Sequence, residues 1–129
     1  GDALVRYAKP MLLIALGGYI YSNAFPIVLV NFPDMGADVL YSQWAILGIS
    51  GIFFSLAFAV SFSAMGSQDA YTGAFNTVAF WVAVVAVVCS ILGFVSSGLF
   101  VTMTQIVGLT YVIHTVYAIV LGRRLIARE

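Results

Sequence analysis

The sequence predicts an all-α fold, an integral membrane four-helix bundle with short loops and with both the N and C termini cytoplasmic. Three observations lead there. Of the 129 residues, 63% are hydrophobic and 8% charged, with a mean hydropathy of +1.09, whereas an ordinary soluble domain is about 45–50% apolar and about 25% charged. Four stretches are long and apolar enough to cross a bilayer, and every basic residue lies near one terminus or the other. A water-soluble globule of this size would need far more polar surface.

Crossing the hydrocarbon as a helix takes about 20 residues, because each backbone polar group must find its partner within the segment. The first span falls at about residues 10–31 and the second at about 43–65. From Thr77 to Leu121 the chain is apolar almost without break, and one helix of that length would be roughly twice the membrane thickness. It must fold back on itself. Ser96-Ser97-Gly98 is the natural break, giving spans at about 77–96 and 99–121 that become antiparallel neighbours. Residues 1–129 then form a single transmembrane domain.

The polar sequence is confined to the ends and two loops. Residues 32–42 carry Asp34 and Asp38 around a Pro-Asp-Met-Gly turn, and residues 66–76 carry Asp69 as turn or cap chemistry before the third span. Arg6 and Lys9 precede the first span, and Arg123, Arg124 and Arg128 follow the last, where they meet anionic headgroups. The positive-inside rule therefore places both ends in the cytoplasm, which requires an even number of spans and agrees with four. Tyr7, Tyr41, Trp44, Tyr71, Phe75 and Tyr117 fall near the interfaces as an aromatic belt would. The expected location is a bacterial or archaeal cytoplasmic membrane, as a multi-pass protein. Gly1 in place of a methionine leaves both a removed leader and a longer parent chain open, although the first span is too long and too polar in its second half for a cleavable signal peptide.

Composition also excludes whole classes of function. Five basic residues balance five acidic ones, so the cationic footprint of a nucleic-acid binder is missing. The single cysteine, Cys89, sits in an apolar run and can build neither a disulfide framework nor a cysteine metal site. Gly-x-Ser-x-Gly, Walker, CxxC and HExxH patterns are absent from the sequence. No catalytic residue and no metal site is expected.

The most specific pattern lies in the third span, where Ala79, Ala83, Ala86, Ser90, Gly93 and Ser97 recur at alternating spacings of four and three. In lipid there is no hydrophobic drive between helices, so small side chains that let backbones approach closely are a main source of association. The second span carries a looser version in Gly48, Gly51, Ser55, Ala59, Ser63 and Gly66, opposite an aromatic ladder of Phe54, Phe58 and Phe62. These faces are expected to pack on each other or on partner helices.

Polarity concentrates in the other two spans. Tyr19, Ser22 and Asn23 cluster in the first, with Tyr21, just before Pro26, whose ring should kink the helix. The fourth holds Gln105, Thr110, His114 and Tyr117, and a polar seam through the bundle is expected if the first and fourth helices are neighbours. His114 is the one strongly titratable side chain within a span. It reads either as an imidazole bonded to a hydroxyl or carbonyl, or as a ligand at a haem or quinone site shared with another chain. The sequence itself requires no cofactor, while lipid, quinone or haem could sit at an interface.

Size and topology are similar to those of the small multidrug transporters. That family carries a membrane-embedded glutamate in its first helix, and the first span here has no acid, which disfavours proton-coupled efflux. Fluoride channels and the membrane anchors of succinate dehydrogenase are of similar size, but their Asn- and Thr-rich or Arg-bearing motifs are absent. The leading expectation is a small accessory or anchoring subunit of a larger membrane complex, partnered by other membrane subunits and the lipid bilayer, without catalytic chemistry of its own. The alternatives are a homo-oligomeric channel or carrier of small molecules or ions, and a subunit contributing His114 to a shared haem or quinone site.

Overall fold

The computed structural model describes residues 2–69, 71 and 73–127; Arg128, expected to meet headgroups, lies outside them. Four α-helices follow one another: α1 (Asp2–Ala24), α2 (Gly36–Gly66), α3 (Ala74–Val95) and α4 (Phe100–Ile126). A 3-10 helix, Phe25–Val30, continues α1, and a shorter one, Pro33–Met35, leads into α2. Each of the four is long and apolar enough to cross a membrane, and the chain is a multi-pass membrane protein.

Local chemistry explains where these elements change. Pro26 has no N–H to give and its ring crowds the carbonyl four residues back, and the α-helix passes into the 3-10 helix at Phe25, one residue before it. The loop expected over residues 32–42 is mostly helix instead, because α2 already begins at Gly36. Asp38 lies in the first turn of α2, where a carboxylate favours the positive end of the helix dipole, and Val39 one residue on is buried. At the other extreme, α4 runs past Leu121 to Ile126, with Arg123 and Arg124 in its last turn.

The helices pack in chain order, α1 on α2, α2 on α3 and α3 on α4, and among the described residues the backbones of α1 and α4 do not approach each other. Short connections make each pair antiparallel, so the described ends of the chain share one end of the bundle with the loop before α3. Small residues set the spacing. Gly18 of α1 lies so close to α2 that a Cβ there would collide with the Ser50 hydroxyl. Ala8, Ala15 and Ser22 are buried on the same stripe of α1, at heptad positions relative to Gly18. Ser50, Ala57 and Ala64 are buried seven residues apart along α2 and form the matching face.

The other side of α2 meets α3 in antiparallel register. A Cβ on Gly48 would collide with the Phe94 ring, one on Gly51 would lie 3.7 Å from Ser90 Oγ, and one on Gly66 3.1 Å from Asn76 Nδ2. From α3 the stripe of small residues is then used against α4: Ala79, Ala83, Ala86 and Gly93 are all buried, and Gly93 lets Met103 of α4 come within 3.0 Å of where its Cβ would stand. Phe62, Ala79, Ala83 and Tyr117 make the core cluster, with Ala59, Phe80 and Leu121 packed around it.

Close approach through Gly18 makes a specific prediction. Gly18→Leu should lower the stability of the detergent-solubilised chain by about 1–3 kcal/mol through overpacking. Gly17→Leu, one residue away with nothing within 4 Å of its Cβ position, should stay within about 0.5 kcal/mol of wild type. Thermal or denaturant unfolding of the two variants side by side reads the difference.

Candidate functional site

Between α2 and α4, whose backbones stay apart, the space is filled by aromatic rings. Phe54 stands edge-on to Tyr19 of α1 at 5.7 Å and to Tyr111 of α4 at 5.0 Å. Phe58 follows at 4.9 Å from Phe54 and stacks on the His114 imidazole at 5.0 Å. Phe62 lies 5.2 Å from the same imidazole and edge-on to Tyr117 at 5.4 Å. Such geometries are the favourable ones for rings with a negative face and a positive edge. The i, i+4 ladder of α2 thus becomes a column that closes the half of the bundle nearer the chain termini.

Three polar contacts tie α4 into this column. His114 Nε2 donates to the Ala79 carbonyl of α3 at 3.2 Å, a carbonyl being able only to accept, while Nδ1 is buried without a partner. Tyr117 donates to Asn76 Oδ1 at 3.3 Å, and Asn76 Nδ2 donates to the Phe62 carbonyl at 2.9 Å, so one buried amide joins α2, α3 and α4. Farther along, the hydroxyls of Tyr19 and Tyr111 meet at 3.2 Å, a side-chain bridge between α1 and α4.

Above that tyrosine pair the packing opens. A half-open cavity of about 240 Å³ runs between α2, α3 and α4, with Tyr19 the one α1 residue in its wall. Gly48, Gly51, Gly93 and Gly108 leave the space, and Leu47, Phe94, Phe100, Met103 and Val107 make it apolar. Three hydroxyls converge at its inner end: a Cβ on Gly51 would lie 3.7 Å from Ser90 Oγ and 3.8 Å from the Tyr19 hydroxyl, which in turn bonds Tyr111. Ser90 Oγ is buried and has no hydrogen-bond partner. This arrangement can bind an apolar group and offer a hydrogen bond to one carbonyl or hydroxyl on it. Among the described residues, no cluster of His, Cys, Asp or Glu is placed to hold a metal ion.

The polar residues expected to share a seam are only partly brought together. Tyr19 and Tyr111 meet, and Thr110, His114 and Tyr117 are buried on one face of α4. Ser22 is buried on the α1 stripe that faces α2 and donates to the Tyr19 carbonyl at 3.0 Å. Asn23 is exposed and spends its amide on the same carbonyl at 2.7 Å, and Gln105 is exposed on α4. A continuous polar path is therefore not formed within one chain. Of the small residues, Gly51, Ser55, Ala79, Ala83, Ala86 and Gly93 are buried, Ala59 and Ser90 are half-buried, and Ser97 lies exposed in the turn beyond the end of α3. Ser55 is fully buried with its Oγ unpartnered.

Two parts of this arrangement lie outside the sequence reading. One is the pairing of Tyr111, itself among the polar residues of the fourth span, with Tyr19; the other is the matching stripe on α1, Ala8, Ala15, Gly18 and Ser22, visible as a heptad of small residues once the two spaced alanines are included. In a double-mutant cycle, Tyr19→Phe and Tyr111→Phe should each destabilise the chain and show a coupling of about 0.6 kcal/mol, the average for hydrogen bonds between membrane helices. Additive losses would separate the two hydroxyls. Compared with protein-family models, curated proteins and solved structures, the chain matches none of them.

Proposed function

We propose that the chain is a small accessory or anchoring subunit of a larger membrane assembly, holding partner helices rather than performing chemistry. The observation that supports this most directly is the open flank between α1 and α4. Thr104, Gly108, Thr115 and Ala118 follow one another on α4 at spacings of four, seven and three and are exposed, and nothing lies within 4 Å of the Cβ position of Gly108. Beside them the Gln105 amide is exposed in the span and bonds no described residue. A side-chain amide left unpaired in hydrocarbon costs about 1–3 kcal/mol, which a neighbouring transmembrane helix would remove. The α3 stripe, by contrast, is already used inside the bundle. The basic residues near the chain termini support, by the positive-inside rule, a cytoplasmic side for that end.

Gentle-detergent extraction from the native membrane, followed by mass spectrometry of what co-migrates, tests the reading. Stoichiometric co-migration with other subunits is the expected result. Gly108→Trp should reduce it at least tenfold without unfolding the chain, since the ring enters open space, and Val85→Trp on the lipid-facing side of α3 should not, Val85 being 48% exposed. A homo-oligomer migrating alone, or a Gly108→Trp chain that co-migrates unchanged, overturns the proposal. The first of these results would turn attention to the channel or carrier reading.

A further inference from the structure

At the end of the bundle that carries the chain termini, a second cavity of about 180 Å³ lies between the start of α3 and the last turns of α4. Its wall is unlike that of the central cavity. It is lined by Arg124, Tyr71, Tyr117 and Asn76, and among the described residues lining it there is no carboxylate. Arg124 is exposed at the rim, and its guanidinium carbon sits 5.5 Å above the centre of the Phe75 ring, in the first turn of α3. Asn76 and Tyr117 are held in place by their mutual bond and by the Phe62 carbonyl.

The backbone adds to the same corner. Gly73 is the N-cap of α3 and has no side chain with which to satisfy the first amides. Its φ of 145° is one that a residue with a Cβ rarely adopts. The first intrahelical bond is that of the Thr77 amide to the Gly73 carbonyl, so the amides of Ala74, Phe75 and Asn76 have no acceptor within the helix. All three residues line the cavity. Arg124, Tyr71 and the positive end of a 22-residue helix line one space, with Val120, Leu121 and Leu125 closing its apolar side.

We infer that this cavity is a binding site for a phosphate-bearing anion. The guanidinium fork supplies charge and direction, the α3 amides donate to the remaining oxygens, and the apolar wall accepts the carbon skeleton beside the phosphate. The space exceeds by several-fold the share of about 30 Å³ that one water occupies in the liquid. Two sources carry this chemistry: the headgroup of an anionic lipid, present at the depth where the last turn of α4 leaves the membrane, and a free phosphate from the adjoining solution. The inference does not depend on the accessory role proposed above.

Amide NMR of the full chain in maltoside micelles, which contain no phosphate, tests the site with two probes added separately: inorganic phosphate and phosphatidylglycerol. At least one should shift the Ala74 and Phe75 amides saturably. A response to phosphate identifies a soluble anion, and a response to phosphatidylglycerol alone identifies the headgroup. Arg124→Gln should weaken the response about tenfold, the scale of one lost charge-assisted contact, with the rest of the spectrum unchanged as evidence of an intact fold. Arg124→Lys should retain part of the affinity and Arg123→Gln, which does not line the cavity, all of it. Failure of both probes to move these amides, or an Arg124→Gln response equal to wild type, overturns the assignment.

Discussion

The rest of the bundle depends on α2 packing closely against two neighbours at once. In lipid the tails are as apolar as leucine, so two helices gain by touching only when their backbones come near enough for dense van der Waals contact. α2 meets this requirement twice, with Ser50, Ala57 and Ala64 buried along one side and the half-buried Gly48 and buried Gly51 and Ser55 along another. Residues of that size leave volume unfilled elsewhere. Phe54, Phe58 and Phe62 supply it on the side toward α4, where the backbones stay apart and side chains alone must cross the gap. Small on two faces and aromatic on the third, α2 fixes both the order of the helices and the distance of α4.

Holding α4 at that distance falls to specific polar contacts rather than to area. His114 to the Ala79 carbonyl, Tyr117 to Asn76, and Tyr111 to Tyr19 each join α4 to a different element or height, and each can form in only one register. A helix that slid by one turn, about 5.4 Å, would break all three and expose their donors to hydrocarbon. Each contact is individually modest, and their value lies in selecting one alignment from several that the apolar surfaces alone would accept. His114 belongs to this set. Its Nε2 is engaged, and its ring lies against two phenylalanines.

How much of this the sequence makes legible follows from residue types. Length and hydropathy are properties of whole segments, so four crossings and the Ser96–Gly98 break could be read directly. The α3 stripe could be read because valine, isoleucine and leucine surround Ala79, Ala83 and Ala86 and make the small residues stand out. On α1 the same heptad is diluted by Gly17, Gly18 and the polar residues that follow, and Ser22 looks like a member of a polar cluster when it is a small residue in a helix contact. The seam failed for a related reason. Serine, threonine and asparagine in a helix can return their hydrogen bonds to the carbonyl three or four residues back, as Ser22, Asn23, Ser61, Thr110 and Thr115 all do. A polar side chain satisfied in this way needs no partner across the bundle, and its presence in a span does not say where it points.

The same logic separates what the bundle keeps for itself from what it presents outward. Below the tyrosine pair the Phe58, Phe62, His114 and Tyr117 rings and the Asn76 amide are spent on internal contacts that hold α4 in place. Above it the helices diverge around a cavity floored by the unpartnered Ser90 hydroxyl. Beside it α4 exposes small residues and a Gln105 amide that bonds no described residue, on the flank that the backbone of α1, packed on α2, does not cover. In water such a flank would be unremarkable, because solvent would satisfy the amide and exclude apolar guests poorly matched in shape. In hydrocarbon it is a surface on which close approach and a hydrogen bond are both still to be gained. Close approach through small residues joins α1 to α2 and α2 to α3, where the Asn76 amide adds a hydrogen bond to the Phe62 carbonyl, and the same two terms support the proposal of another helix on that flank.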